Sequence, residues 1–339
     1  MHYVVKTFRS NIVEGRFTSL IVSVVVIGMR IMMFVNDGLP DLSIKSDNFL
    51  WQYISQFFSK PEISLAASTL SVFIIAWLIL SLNNRFGLLR SRSNLPFIFP
   101  IFFLSLHPYF LLMTGEYIAI IFILLSFFPL LESYQKPDSY LYSFRSSVLI
   151  ATASLFQIFA IILIPLLWRG ERSMRGPQIR SLLSSLFGVV LVYVSVFSYY
   201  FIFDDTISFT QPFNIFINIS INEIPRFTIF EWVIGAFILM FFVLNMIFSV
   251  NTYGRDKVLT LNFMQFIVFL QIFLLLLQVV YWGISLFFLT LSITLISYLS
   301  AYFYTKNNSR NHLYLVYFMI LIMIVIYLSH NIAILDIVS

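Results

Sequence analysis

Cysteine is absent from the 339 residues, which excludes disulfides, thiolate metal sites and cysteine nucleophiles. Charge is scarce as well. Asp, Glu, Lys and Arg together make up 10% of the chain, where a soluble domain carries roughly 25%, so water is not its main solvent. No GxxxxGK[ST] loop, dinucleotide glycine fingerprint, HExxH or GxSxG is present, which argues against ATP-driven transport by this chain alone. The apolar runs lack strict alternation, which excludes a membrane barrel and leaves helices to satisfy backbone groups in lipid. The 20 basic residues are scattered between apolar runs and form no nucleic-acid footprint. No small-residue cleavage site follows the run Phe17 to Val35, so that run reads as a retained anchor.

What the chain does have is apolar bulk. Hydrophobic residues reach 60%, with 40 Phe and 18 Tyr, and mean hydropathy is +0.93. The expected fold is all-α, a polytopic transmembrane helical bundle. The stretch Leu95 to Glu132 sets the pattern: two apolar runs meet at the short polar break Thr114-Gly115-Glu116. Each run is close to the ~20 residues that span a bilayer, and the join is too short to cross anything, so the two form a tight hairpin.

Cytoplasmic connections carry the Lys/Arg excess, and the basic residues alternate in that way. Residues 1–16 hold Lys6, Arg9 and Arg16 among apolar positions and read as an amphipathic segment on the cytoplasmic interface. The remainder, 17–339, reads as one membrane domain. The connection with Arg85, Arg90 and Arg92 is placed inside. The loop Asn36 to Glu62, with Asp37, Asp41, Asp47 and Glu62, is placed outside, its aromatic part half-submerged. Residues 147–168 allow two readings. One is a single crossing, which would put Arg169, Arg172, Arg175 and Arg180 outside against the charge rule. The other is a re-entrant hairpin breaking near Ser154 to Gln157, which keeps them inside. The charge rule favours the hairpin. The total is about ten crossings plus that hairpin, in the plasma (inner) membrane, with the N-terminus cytoplasmic and the C-terminus external.

Candidate chemistry rests on ionisable and amide groups near the external face. Arg30 lies about 7 Å inside the first span, at 1.5 Å per residue. A charge at depth points to function, unless its stem lets the head snorkel to the interface. It could pair with Asp37 or Glu116. Asp37, Asp41 and Glu116 are the candidate catalytic carboxylates, as general bases or as oxygen ligands for a divalent cation. Each also fits a solvated loop acid that only respects topology. His107 precedes Pro108, which should kink the third span. This histidine is a candidate ligand-binding or proton-carrying group, or a simple partner for a freed carbonyl. Gln271 and Gln278 share a helical face and could bind substrate or join helices. No cofactor is implied.

The segment Asn94 to Ser105 with His107-Pro108, and the later Ala153-Ser154-Leu155-Phe156 and Trp168-Arg169, resemble a family of bacterial multi-pass membrane proteins of unknown function. That family supplies no catalytic residues. In span number, acidic first external loop and broken helices the chain is also similar to GT-C type membrane glycosyltransferases and polysaccharide polymerases. That resemblance implies an external-loop carboxylate, Asp37 or Asp41, near a polyprenyl-linked saccharide. Three functions therefore stand open: transfer or polymerisation of lipid-linked sugar in the cell envelope, transport of a lipid or small solute, and a non-catalytic scaffold in an envelope complex. The partners implied are the bilayer and a polyprenyl-linked saccharide.

Overall fold

The computed structural model describes residues 9–15, 17–39, 48–89, 91–136, 139–216, 256–281 and 285–306, with shorter pieces between 239 and 254 and between 314 and 328. Among these, every regular element is helical. The main helices are α1 (Thr18–Asp37), α2 (Pro61–Phe86), α3 (Leu95–Phe103), α4 (Gly115–Glu132), α5 (Ser139–Phe156), α6 (Leu163–Arg175), α7 (Ile179–Ile202), α8 (Val258–Val280) and α9 (Phe287–Lys306). Six of them, α1, α2, α4, α7, α8 and α9, are long and apolar enough to cross a membrane. The ten expected crossings are not reproduced as ten such helices. The expected spans 231–250 and 313–328 lie partly outside the described residues, as does much of the segment 1–16.

Cross-helix contacts sort the helix ends into two groups. At one end Arg85 of α2 pairs with Glu132 of α4, Arg175 of α6 donates to Ser143 of α5 at 2.5 Å, and Lys306 of α9 pairs with Asp256. Asn94 donates to the Gly15 carbonyl at 2.6 Å there as well, tying down the N-terminal segment. We call this the basic end. At the opposite, far end the Met113 amide donates to Ser64 of α2 at 2.8 Å. There too Gln52 donates to Tyr200 of α7 at 3.1 Å, and Gln157 donates to Ser285 at 2.7 Å.

Two departures from the expected helices have local causes. The outward leg of the central hairpin is not a full helix: α3 has nine residues, about 14 Å at 1.5 Å per residue. Pro108 ends the leg where the sequence predicts a kink, because a residue before proline is driven out of the α region. His107 is accordingly extended, at φ −134° and ψ 141°. Pro108 then begins a single tight turn, Pro108–Leu111.

The second departure is the hairpin expected within 147–168. Its break falls at Gln157, which is extended, but the legs run well beyond those residues. α5 has 18 residues, about 27 Å, and α6 returns to the basic end. Arg169, Arg172 and Arg175 therefore share an end with Arg85, as the charge rule requires. The Arg175 guanidinium is held there by Glu171 at 3.2 Å, both side chains being buried.

α1 and α7 bury only a narrow face, while α9 is almost wholly enclosed. Its neighbours are α3, α4 and α8. α5 packs between α4 and α7.

Candidate functional site at the far end

Ending α3 early frees backbone carbonyls inside an apolar bundle, where each unsatisfied group is costly. Arg30 supplies the donors. It is 1% exposed, and all five guanidinium N–H bonds can be assigned. Nε donates to Thr69 Oγ1 at 2.8 Å. Nη1 donates to the Leu104 carbonyl at 3.0 Å and to Ser105 Oγ at 3.2 Å. Nη2 donates to Ser68 Oγ and to the Phe110 carbonyl, both at 2.7 Å. The arginine therefore neither snorkels nor pairs with Glu116. It clamps the broken leg of the hairpin against α1 and α2. α2 adds its own partners: Ser64 holds the Met113 amide, and Ser68 donates to the Leu111 carbonyl at 2.5 Å.

Glu116 opens α4 and is half-buried. Ser285 donates to its Oε1 at 3.0 Å and Thr290 to its Oε2 at 3.5 Å. The Phe287 amide donates to the same Ser285 hydroxyl oxygen at 3.1 Å, which fixes Ser285 beside the carboxylate. A negative group thus sits on the positive end of the α9 dipole. Glu116 is flanked by two residues with their own tasks. A Cβ on Gly115 would overlap the Phe156 carbonyl oxygen and crowd the Trp51 ring, so only glycine lets α4 approach the end of α5. Tyr117 donates to the Phe110 carbonyl at 2.9 Å, the oxygen that Arg30 also holds.

From Glu116 a relay of polar side chains leads to the loop after α1. Ser285 accepts from Gln157 Nε2 at 2.7 Å. Gln157 Oε1 in turn accepts from Asn48 at 2.9 Å, and Asn48 Oδ1 takes the Ile158 amide at 3.0 Å. The Leu50 amide donates to the Leu155 carbonyl at 2.9 Å. Residues 48–58 are thereby folded onto the bundle end, with Phe49 and Trp51 almost fully buried, deeper than the half-submerged segment the sequence suggests.

The other candidates divide. Gln278 reaches the same cluster, donating to the Ser285 carbonyl at 3.4 Å. Gln271, fully buried, donates to Ser292 lower on the α8–α9 seam. His107 accepts the Tyr109 amide at 3.3 Å and stacks on that ring at 4.6 Å, so it caps the turn its own proline creates. Asp37 is the last residue of α1, and Asp41 lies outside the described residues. Among the described residues no group of three or more His, Asp or Glu side chains could hold a metal ion.

No family model, curated protein or solved structure matches the chain. The site therefore rests on its own geometry. Asn48 and Ser285 are members that sequence reading missed, because each is an ordinary polar residue in a loop. The signal that was available is on α2, where Ser64, Ser68 and Ser71 recur at helical spacing and face a neighbour with free backbone groups.

Proposed function

We propose that the protein is a cell-envelope membrane protein that acts at its far face on a saccharide carried by a polyprenyl lipid. In this reading Glu116 takes up the proton released in transfer or polymerisation. One observation carries the reading: a carboxylate is held half-buried at the bundle end by the hydroxyls of Ser285 and Thr290. Such fixed partners orient a base toward a reacting hydroxyl. Arg30 is a positioning residue here, since its donors are spent on the chain itself. The basic end faces the cytoplasm of a plasma membrane in this reading.

A second reading, a non-catalytic scaffold, is favoured by the same contacts seen differently. Glu116 is also a cap for α9, with partners on both oxygens. Glu116→Gln in the producing cell separates the two. Accumulated lipid-linked saccharide with unchanged protein abundance is the outcome for a base. Unchanged glycan with reduced protein abundance rejects the enzyme reading and supports the scaffold.

A further inference from the structure

α8 and α9 run antiparallel, and four contacts descend their seam from the far end to the basic end. Gln278 donates to the Ser285 carbonyl at 3.4 Å, and Gln271 donates to Ser292 Oγ. The Tyr298 ring lies 6.3 Å from that of Phe263, and the Tyr302 hydroxyl donates to the Asp256 carboxylate. From Gln278 to Val258, two residues after Asp256, the rise is about 30 Å at 1.5 Å per residue, the full depth of a ~30 Å hydrocarbon layer.

Three polar atoms on this seam are buried and have no hydrogen-bond partner among the described residues: Gln278 Oε1, Gln271 Oε1 and the Tyr298 hydroxyl. Their residues are 4%, 0% and 4% exposed. An unmade hydrogen bond at such a site costs about 1–3 kcal/mol, and a leucine or phenylalanine would avoid it. A water between the helices would satisfy each of these three atoms. Each end of the row carries a carboxylate. Glu116 joins it through Ser285, and Asp256, its side chain 3% exposed, joins it through Tyr302 beside Lys306.

We propose that the α8–α9 seam is a hydrated proton relay that crosses the membrane between Glu116 and Asp256. A proton accepted on one carboxylate passes along waters and the tyrosine hydroxyls, each of which releases another proton onward, while the Gln271 and Gln278 amide oxygens only accept hydrogen bonds and orient those waters. Nothing is oxidised or consumed, and the net change is one proton moved from face to face. The relay does not depend on the saccharide reading, because Gln271 and Tyr298 lie far from the far-end loops.

The test uses the full chain in liposomes holding a trapped pH-sensitive dye, with a potassium diffusion potential driving protons inward. Wild type should acidify the lumen at least tenfold faster than protein-free liposomes. Gln271→Leu and Tyr298→Phe should each bring the rate back near the protein-free value. Tyr298→Phe removes a single oxygen, so a misfolded helix would not explain its loss, and unchanged elution of both variants completes the control. Wild-type flux equal to that of protein-free liposomes, or wild-type flux retained by both variants, would overturn the relay.

Discussion

Replacing Arg30 with methionine removes the cation and keeps most of the stem, so it isolates the clamp from simple packing. The consequences can be followed oxygen by oxygen. Phe110 keeps a partner, because Tyr117 still donates to its carbonyl. Ser68 and Thr69 keep their own donations, to Leu111 and Leu65 respectively, and lose only an incoming N–H. The Leu104 carbonyl loses the guanidinium donor that held it. An unsatisfied buried carbonyl costs about 1–3 kcal/mol and a bond to a charged group about 1.5–3 kcal/mol. Against this stands the relief of burying a cation with no carboxylate among its hydrogen-bond partners, a desolvation cost of several kcal/mol. The relief offsets the lost bonds to the cation, and the unsatisfied carbonyl leaves a loss of about 1–3 kcal/mol, borne by the contact between α1, α2 and the segment 104–111. Unfolding by SDS in mixed micelles measures it. Arg30→Lys, with three donors for five acceptors, should fall between wild type and Arg30→Met. A loss below about 0.5 kcal/mol for Arg30→Met, the range of surface substitutions, would refute the clamp.

Gly115→Ala pushes α4 away from the Phe156 carbonyl, an overpacking expected to cost about 1–3 kcal/mol, read in the same SDS titration. Wild-type stability would mean that α4 and α5 are farther apart than described. Asn48→Ala removes two hydrogen bonds that pin the loop after α1. At about 1 kcal/mol each the segment 48–58 should exchange its amide hydrogens roughly 30-fold faster, with α8 and α9 unaffected. Unchanged exchange there would detach Asn48 from the network.

The sequence was a good guide to class and to which basic connections share an end, and a poor guide to where helices stop. Apolar runs and arginine counts made an all-helical membrane chain legible, and Arg169 to Arg175 turned back to the end that holds Arg85. Helix breaks depend on partners that are remote in sequence. Gln157 ends α5 with no proline or glycine near it. Its side-chain amide is held by Asn48 and Ser285, 109 and 128 positions away. Pro108 is visible and predicts a bend, since sequence does not show that Arg30 is available to satisfy the carbonyls of a full stop. Arg30 itself was flagged by its depth. Its partners proved to be two carbonyls and three hydroxyls where a carboxylate was expected, because the charge serves a backbone break. Glu116 reads as the tip of a hairpin, whereas the Ser285 and Thr290 hydroxyls that hold it inside lie about 170 residues later.

The central claim is that α5 and α6 form a returning pair, which puts every described arginine-rich connection at one end and the Glu116 cluster at the other. A chain with no cysteine allows direct measurement by single substitutions and a membrane-impermeant maleimide on intact cells. Arg85→Cys and Arg172→Cys should both react only after the cells are opened, while Ser59→Cys reacts before. Labelling of Arg172→Cys in intact cells together with Ser59→Cys would contradict the returning pair.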